Sequence, residues 1–313
     1  MRLLVTRRQT EAVEAAIAAD FDAHFRHDEA PLTEAEARAT LAEYDLILPT
    51  LGDRFGAGAF AGPVRAKMLA NFGVGYNHID IAAARAAGVT VSNTPGAVTD
   101  ATADIALTLI LMSARRAGEG ERMLRAGRWS GWQPTQMLGL HVSGKRLGII
   151  GMGRIGKAIA KRAHFGFGME VVFCNRSAVA DPGCPARQVA FSEALGADIV
   201  VLAVPATAET RHLIDAAALA QMQPHAHLIN IARGDIVQES DLIAALQAGT
   251  IAGAGLDVYE FEPAVPPALI ALENVTLLPH LGTAAEEVRT AMGFMALDNL
   301  RAFRNGTAPP NAL

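Results

Sequence analysis

A short apolar run near the middle of the chain leads directly into a glycine-rich turn. Residues 147–150 are followed by Gly151, Gly153 and Gly156 in the spacing Gly-x-Gly-x-x-Gly, and a helix-like segment comes next. The first glycine of this pattern allows a tight turn, the second lets the backbone approach a pyrophosphate, and the third lets the helix pack close to its strand. The order strand, turn, helix therefore predicts a βαβ unit that binds dinucleotide phosphates at a helix N-terminus.

Glycine spacing alone is weak evidence, and the chain itself shows why. Gly56-Ala57-Gly58-Ala59-Phe60-Ala61 also fits the pattern with alanine in the last place. It follows the polar residues 52–54 rather than an apolar run, so we interpret it as a flexible loop of small residues. The motif at residues 151–156 could also be a turn of some other α/β protein, but its strand and helix context favours dinucleotide binding.

Short β-like runs alternate with alanine-rich helical runs, which is typical of parallel sheets covered by helices. Two series are present. The first has β-like runs at residues 3–5, 46–48 and 89–91, with helical runs at 11–19, 34–44 and 79–87. The second has β-like runs at residues 147–150, 171–173, 199–204, 227–230, 254–257 and 275–278. With 313 residues, of which 51% are hydrophobic, the chain can bury the cores of about two domains.

The sequence therefore predicts an α/β fold of two domains. A helix-rich stretch at residues 101–128 connects the two series, and a last helical run at 284–304 closes the chain. If that run packs back on the first series, the first domain is discontinuous and comprises residues 1–98 and 284–313. The second, a Rossmann doubly wound parallel sheet, then comprises residues 99–283. Ligands are expected in the cleft between two such domains.

Composition argues against several classes of partner. The net charge of −5 and the isoelectric point near 6.0 give no reason to expect nucleic acid. The arginines that alternate with apolar residues are interpreted as a solvated helix face: Arg115, Arg116, Arg122, Arg125 and Arg128. No apolar run is long enough to span a bilayer and no export signal is evident, so we expect no membrane partner and a cytoplasmic location. Cys174 and Cys184 lack metal-ligand spacing, and no metal site is expected.

The glycine motif also predicts where the adenosine ribose is recognised, at the end of the next strand. That strand, at residues 170–174, ends in Asn175-Arg176-Ser177, where the usual Asp or Glu is missing. A carboxylate there would bind the ribose hydroxyls of NAD and repel a 2′-phosphate, whereas a cation and hydrogen-bond donors favour NADP. The alternative is that Arg176 is only a solvated charge at a strand end.

Polar segments follow three later strands, where doubly wound sheets bind their ligands. Each supplies one group for the reduction of a ketone. Arg233 can bind a substrate carboxylate, His280 can protonate the carbonyl oxygen, and Glu262 can orient the imidazole. Each residue alone could be a surface charge or a structural group, and Glu260 is as available as Glu262. Their joint appearance at successive strand ends favours catalysis.

These motifs resemble the D-isomer-specific 2-hydroxyacid dehydrogenases over nearly the whole chain. The matching segments are Gly-Met-Gly-Arg-Ile-Gly at 151–156, Asn-Ile-Ala-Arg-Gly-Asp at 230–235, Asp-Val-Tyr-Glu-Phe-Glu-Pro at 257–263 and Pro-His-Leu-Gly-Thr at 279–283. Earlier segments, Asn71 to Asp80 and Asn93 to Gly96, resemble the substrate-domain loop and a hinge-side segment of the family. The resemblance implies that Arg233, Glu262 and His280 are the catalytic residues, with Glu262 rather than Glu260 at the family position. It also implies a flavodoxin-like substrate domain.

The resemblance implies further binding roles. The amides of Val74 and Gly75 would receive the substrate carboxylate, although the glycines there could equally serve a turn. Thr102 would lie near the nicotinamide, and Ile231 and Asp257 would orient its carboxamide, although Asp257 could instead cap a strand end. The remaining cofactor contacts implied by the resemblance are Arg154, Ile155, Val204, Pro205, Thr210, Ala232 and Gly282, with Val204 and Pro205 at the adenosine and Thr210 at the phosphates.

Within the family, the chain is most similar to glyoxylate and hydroxypyruvate reductases, through residues 175–177 and through Gly127-Arg128-Trp129-Ser130-Gly131-Trp132. The resemblance implies a homodimer. Trp132 could enter the partner's active site or could be a simple interface anchor, and both interpretations stay open. Gln136 stands where some reductases have another Trp, which leaves the preferred acid undefined.

The sequence thus predicts an NADPH-dependent reductase of small 2-oxoacids such as glyoxylate and hydroxypyruvate. One alternative is an NAD-preferring D-2-hydroxyacid dehydrogenase with other substrates, for which phosphoglycerate, formate or phosphite dehydrogenases are possible relatives. Another is a non-catalytic dinucleotide sensor like the C-terminal-binding-protein corepressors. The short termini and the three catalytic groups favour the enzyme over the sensor.

Overall fold

The computed structural model describes every residue from Met1 to Leu313. Its strands are β1 (Arg2–Val5), β2 (Asp22–Phe25), β3 (Leu46–Leu48), β4 (Met68–Ala70), β5 (Thr90–Ser92), β6 (Arg146–Ile150), β7 (Glu170–Cys174), β8 (Ala186–Gln188), β9 (Ile199–Leu202), β10 (His227–Asn230), β11 (Gly253–Leu256) and β12 (Val275–Leu277). Its α-helices are α1 (Glu11–Asp20), α2 (Glu34–Glu43), α3 (Ile81–Ala86), α4 (Thr99–Ala114), α5 (Ala117–Arg125), α6 (Arg154–Phe167), α7 (Phe191–Leu195), α8 (Ala216–Leu219), α9 (Glu239–Ala248), α10 (Pro267–Ile270) and α11 (Glu286–Arg304).

The chain divides into two compact units. Residues 1–98 and 283–313 form the five-stranded unit, and residues 99–282 form the seven-stranded unit. All strand pairs within both sheets are parallel. The predicted α/β class with two parallel sheets is therefore confirmed.

The five-stranded sheet has the order β2-β1-β3-β4-β5, which is the flavodoxin-like order. Its central strands are buried on both faces. Leu4 and Ile47 pack on one side with residues of α2, whereas Leu3 and Leu46 pack on the other with residues of α1 and α11. Continuous apolar strands of this kind are expected where helices cover both faces of a parallel sheet.

The seven-stranded sheet has the order β12-β11-β10-β9-β6-β7-β8. Counted from β6, this is the Rossmann order 3-2-1-4-5-6 with one further strand at the β12 edge. The order reverses between β6 and β9, which pair directly. Helices α4 and α6 share one core cluster with the sheet, and α8 and α9 share the cluster on the other side.

Some local elements differ from the sequence prediction. The sequence pattern does not predict β2, β4 or β8. β4 has only three residues, and the edge strands β2 and β8 are partly exposed and carry little apolar pattern. The helical stretch at 101–128 is two helices, α4 and α5, since the chain breaks at Arg116, whose φ is 52°. The second glycine-rich stretch forms a 3-10 turn at Ala57–Ala61 that Arg38 fixes to α2 by donating to the Gly58 carbonyl. It is therefore a short 3-10 helix rather than an irregular loop.

None of the helices combines the length and the apolar character needed to cross a membrane.

Candidate active site

The loops at the carboxyl ends of the seven strands carry the candidate site. The reversal between β6 and β9 puts the loop that begins at Gly151 beside the loop that begins at Ala203. Doubly wound sheets bind ligands at this switch point, because the two loops turn to opposite faces and leave a crevice. The loops after β7, β10, β11 and β12 lie along the same edge.

The three glycines of the turn differ in what surrounds them. A Cβ on Gly151, whose φ is 101°, would lie 2.7 Å from the carbonyl carbon and oxygen of Ala203. A Cβ on Gly156 would lie 2.2 Å from the carbonyl oxygen of Gly151. These two glycines are required by the fold itself, since backbone atoms cannot give way to a side chain.

Gly153 has no such requirement. Its φ is −78°, and a Cβ there would meet nothing within 4 Å. Gly153 is also the N-cap of α6 and offers no side chain to the first N–H groups of that helix. An open space beside unsatisfied N–H groups at a helix N-terminus fits a pyrophosphate. These residues therefore fit a dinucleotide cofactor, with Arg154 exposed and Ile155 half-buried in the first turn.

The loop after β7 is fixed to the glycine turn by Asn175. Its Oδ1 accepts from the amide of Met152 at 3.1 Å, and its Nδ2 donates to the carbonyl of Ser177 at 2.9 Å. Arg176 and Ser177 are exposed. A carboxylate could also accept from the Met152 amide, but it could not donate to the Ser177 carbonyl. The exposed cation of Arg176 adds a charge that can meet a phosphate.

Other expected cofactor residues fall into three groups. After β9, the Thr210 hydroxyl donates to the carbonyl of Pro205 at 2.7 Å, which closes the turn that begins at Val204. At the other end of the site, the Thr102 hydroxyl donates to the carbonyl of Gly282 at 3.1 Å. Ile231 and Ala232 are buried between these groups in the loop after β10.

Asp257 fixes the loop after β12. Its two carboxylate oxygens accept from the amides of Leu281 at 2.6 Å and Gly282 at 2.8 Å. The carboxylate is buried, and burial raises its pKa above the ordinary value. Because both oxygens accept amide hydrogens of this loop, Asp257 caps it, which agrees with the strand-end capping considered from the sequence. The capping leaves further lone pairs on each oxygen.

Two residues that were not predicted from the sequence shape the loop that carries Arg233. Asn230 is buried; its Oδ1 accepts from the amide of Ala232 at 3.0 Å, and its Nδ2 donates to the carbonyl of Arg233 at 2.9 Å. A Cβ on Gly234 would lie 1.8 Å from the carbonyl carbon of Tyr259. The loops after β10 and β11 therefore touch through their backbones, and only glycine fits there. The presence of Gly234 directly after Arg233 was the sequence signal that could have indicated this close backbone contact.

Glu262 and His280 form the central pair of the site. Oε2 of Glu262 lies 2.8 Å from Nδ1 of His280, and Oε1 accepts from the amide of Tyr259 at 3.0 Å. Glu260 turns away and bonds to His212 at 2.7 Å. Of the two glutamates that the sequence offers, the structure therefore brings Glu262 to His280.

Burial and neighbouring charges together set the pKa values of Glu262 and Arg233. Burial alone would raise the pKa of Glu262, but the hydrogen bond and charge of His280, the Tyr259 amide and the charge of Arg233 together hold that pKa below its ordinary value. Burial lowers the pKa of Arg233, against the charges of Glu262 and Asp235. Arginine still remains protonated. The site thus combines a cation, a carboxylate and an imidazole at neutral pH.

The Val74–Gly75 loop belongs to the five-stranded unit and follows β4. Asn71 Nδ2 donates to the carbonyls of Gly73 and Gly75, both at 3.0 Å, and Asn93 Nδ2 donates to the carbonyl of Val74 at 2.9 Å. Across a trans peptide the carbonyl and the next amide point in opposite directions. Holding the carbonyls of Gly73 and Val74 therefore turns the amides of Val74 and Gly75 to the other side of the loop.

Asn71 and Asn93 were not predicted as site residues, although both stand in segments that the sequence singles out.

Trp132 lies in the irregular segment after α5, with 80% of its surface exposed, and Trp129 Nε1 donates to Gln136 at 3.3 Å. Both predicted roles of Trp132, entry into a partner's active site and anchoring of an interface, stay predictions.

Comparison with known proteins identifies close relatives. Residues 107–282 match the sequence model of the family described as D-isomer specific 2-hydroxyacid dehydrogenase, NAD binding domain. The chain is 40% identical to the glyoxylate reductase of Thermococcus onnurineus, with 99% of this chain and 94% of the relative covered. It is 36% identical to the glycerate dehydrogenase of Hyphomicrobium methylovorum, with 100% of this chain and 98% of the relative covered.

Solved structures agree over the full length. A protein from Thermus thermophilus superposes with a TM-score of 0.93 at 38% identity, with 100% of both chains covered. The NADPH-dependent glyoxylate/hydroxypyruvate reductase of Sinorhizobium meliloti, solved with NADP and malonate, superposes with a TM-score of 0.88 at 33% identity, covering 100% of this chain and 96% of that one.

Proposed function

The chain belongs to the D-isomer specific 2-hydroxyacid dehydrogenase family, and from this premise we propose that it reduces glyoxylate and hydroxypyruvate with NADPH. As a member of the family it is an oxidoreductase that uses a nicotinamide dinucleotide and acts on 2-oxoacids and 2-hydroxyacids. The choice of NADPH and of these two small acids is the proposal. The products would be glycolate and D-glycerate.

The observation that carries the proposal is the Glu262–His280 pair. Because Nδ1 of His280 is engaged by Glu262 at 2.8 Å, Nε2 is the ring atom that can reach a substrate. Protonated His280 gives the proton on Nε2 to the carbonyl oxygen, and the ionised Glu262 stabilises the imidazolium before transfer. When bound, a reduced nicotinamide would supply the hydride for the carbonyl carbon.

Arg233 serves the substrate carboxylate in this proposal. Its guanidinium can form two parallel hydrogen bonds to a carboxylate, which fixes the plane of the 2-oxoacid as well as its position. Asn230 and Gly234 hold the backbone on either side of Arg233. We also assign the amides of Val74 and Gly75 to the substrate carboxylate, since their carbonyl neighbours are held by Asn71 and Asn93.

The preference for NADPH is supported by the loop after β7. The motif predicts a carboxylate at its first position, and Asn175 stands there, followed by the exposed Arg176 and Ser177. One solved relative of this chain carries NADPH dependence in its name. We further propose that the enzyme is a cytoplasmic homodimer, with residues 1–98 and 283–313 as its substrate-binding unit.

The test is the steady-state kcat/KM for glyoxylate, hydroxypyruvate and pyruvate, each with NADPH and with NADH. Higher values with NADPH and the two small acids support the proposed cofactor and substrates. A strong preference for NADH contradicts the argument from Arg176 and leaves the roles of Arg233, Glu262 and His280 intact. Absence of turnover with all three acids contradicts the substrate assignment.

A further inference from the structure

The seven-stranded unit contains a second histidine–carboxylate pair beside the candidate active site. Nε2 of His212 lies 2.7 Å from Oε1 of Glu260. Glu260 stands two positions before Glu262 on the loop after β11, yet the two glutamates reach different histidines. The φ angles of His212 and His280 are 52° and 54°, a left-handed backbone that residues other than glycine rarely adopt. Such strain persists only where surrounding contacts enforce it.

Glu260 is the more enclosed of the two glutamates. It exposes 9% of its side chain, compared with 31% for Glu262. Its Oε2 accepts from the amide of Glu239, the first residue of α9, at 3.3 Å, and its own amide donates to Oε2 of Glu239 at 3.4 Å. A carboxylate at the start of a helix is stabilised by the free N–H groups and the helix dipole. Glu260 is therefore anchored on one side by α9 and on the other by His212.

Two buried carboxyl groups in such proximity compete for charge. Burial, and in addition the charge of Glu260, raise the pKa of Glu239. On its other side, Glu260 accepts a hydrogen bond from the side-chain N–H of His212. The imidazole is thus an integral partner of the buried cluster, although part of its ring is exposed.

The backbone of His212 is tied to a different loop. Its amide donates to the carbonyl of Asp235 at 2.8 Å, and the amide of Ile214 donates to the carbonyl of Ile236 at 3.0 Å. Asp235 and Ile236 come directly after Arg233 and Gly234 in the loop that follows β10. His212 therefore contacts the Arg233 loop through its backbone and the Glu262 loop through its side chain.

We infer that His212 is a positioning residue for the reduction, because through Glu260 it holds the loop that carries Glu262 against the loop that carries Arg233. The inference rests on the proposed function, in which Arg233 binds the substrate and Glu262 orients His280. Neither His212 nor Glu260 touches the reacting atoms in this arrangement. Their effect is on the relative position of the two loops, which are already in backbone contact at Gly234 and Tyr259.

The test compares His212→Leu with His212→Gln. Leucine keeps the bulk and loses the donor, whereas the Nε2 of glutamine can occupy the place of the imidazole Nε2. We expect His212→Leu to lower kcat with glyoxylate by about 10- to 100-fold, because small displacements of catalytic groups have effects of this size. KM for NADPH should stay within about twofold, and His212→Gln should recover kcat to within about threefold of the wild type.

His225 provides the matched control. Its Nε2 lies 2.6 Å from Oδ1 of Asp198, so it too forms a histidine–carboxylate pair. Asp198 and His225 precede β9 and β10 and therefore lie at the amino ends of the strands, away from the candidate site. His225→Leu should leave kcat unchanged. Thermal unfolding of every variant distinguishes a lower kcat of folded enzyme from a smaller folded fraction.

Several results would overturn the inference. They are a folded His212→Leu enzyme with wild-type kcat, a folded His212→Gln enzyme as slow as the leucine variant, or a loss of activity equal to that of His225→Leu. If His212→Leu does not fold, Glu260→Met takes its place, because it keeps the length of the side chain and removes both acceptor oxygens; wild-type kcat in that variant contradicts the inference.

Hydrogen–deuterium exchange separates this inference from the proposed function. Peptides covering residues 233–238 and 257–262 should exchange faster in His212→Leu than in the wild type or His225→Leu. This result would support the loop connection even if the wild type reduced no 2-oxoacid, in which case only the proposed function fails. Equal exchange in all three proteins contradicts the loop connection whatever the activity.

Discussion

Oε2 of Glu262 lies 2.8 Å from Nδ1 of His280, across the loops that follow β11 and β12. This contact leaves Nε2 as the atom that can transfer a proton. We expect His280→Gln to lower kcat for glyoxylate by on the order of 10²- to 10⁴-fold, because glutamine cannot deliver a proton to the developing alkoxide. KM for NADPH should change little, since no cofactor contact is removed. Steady-state kinetics measure both constants.

His225→Gln is the control for this substitution, since it removes a paired imidazole at the opposite edge of the sheet. Its kcat should equal that of the wild type. A His280→Gln enzyme that retained most of its kcat would show that the proton comes from another group.

A second prediction concerns Gly153. Alanine fits its φ of −78°, and a Cβ there meets nothing within 4 Å, so Gly153→Ala should fold with an unchanged melting temperature. The methyl group would nevertheless occupy the space that a pyrophosphate needs. We expect the dissociation constant for NADPH, measured by fluorescence titration, to rise about tenfold or more.

Gly166→Ala is the matched variant, because Gly166 lies in the same helix and a Cβ there also meets nothing within 4 Å. It should bind NADPH like the wild type and gain about 0.5–1 kcal/mol in free energy of unfolding, the usual difference between glycine and alanine within a helix. If the Gly153→Ala enzyme and the wild type bound NADPH with equal affinity, the cofactor phosphates would not bind at this turn.

The sequence predicted those parts of the fold that have a strong local pattern. The apolar runs at β1, β3, β6 and β9 are buried on both sides of a sheet and therefore form continuous hydrophobic segments in the sequence. The polar edge strand β2 has no such pattern, because one side of it faces solvent. The break at Arg116 was hidden because the residues on both sides of it favour helix.

The candidate site shows the same division. Arg233, Glu262 and His280 could be named because each follows an apolar strand and carries a chemically distinctive side chain. Asn230 and Gly234 act on the backbone of neighbouring residues, and that action depends on how two loops pack. Between Glu260 and Glu262, the residues alone offered no choice. The resemblance to the family pointed to Glu262, which is the glutamate that contacts His280.

A third prediction concerns the cofactor. Arg176→Ala should raise KM for NADPH about tenfold or more, since a hydrogen bond to a charged group contributes about 1.5–3 kcal/mol. KM for NADH should stay near its wild-type value, because NADH lacks the 2′-phosphate. Arg187→Ala removes an exposed arginine on the adjacent strand β8 and should change neither constant. Equal effects of Arg176→Ala on both cofactors would contradict a role in recognising the phosphate.

A fourth prediction concerns the buried His227, whose Nδ1 lies 2.8 Å from the Ser113 hydroxyl. Burial, with a contribution from His225, lowers its pKa from the ordinary 6.5 to about 4. The unfolded chain therefore binds a proton below pH 6.5 that the folded chain does not bind until about pH 4. Stability is full above pH 6.5 and falls as the pH is lowered toward 4, by up to about 3 kcal/mol from this group.

His227→Asn should make that decrease smaller, because asparagine does not titrate and can keep a bond to Ser113. Urea unfolding at pH 7, 6, 5 and 4.5 measures the free energy of unfolding, and His141→Asn, at an exposed histidine, shows how much any surface histidine contributes. Parallel pH profiles for the wild type and His227→Asn would mean that His227 is not responsible.

The last prediction tests the Val74–Gly75 loop of the five-stranded unit. Asn93 is largely buried, and its Nδ2 donates to the Val74 carbonyl at 2.9 Å. Asn93→Asp keeps the size of the side chain, removes this donor and directs a negative charge at the carbonyl, so the peptide that ends in the Gly75 amide should rotate. If that amide binds the substrate carboxylate, KM for glyoxylate should rise about tenfold. The dissociation constant for NADPH should not change, because the residues that fit the cofactor belong to the other unit. A parallel rise in KM for glyoxylate and in the dissociation constant for NADPH would instead indicate a general disturbance of the fold. An unchanged KM for glyoxylate in a folded enzyme would exclude the Gly75 amide from substrate binding.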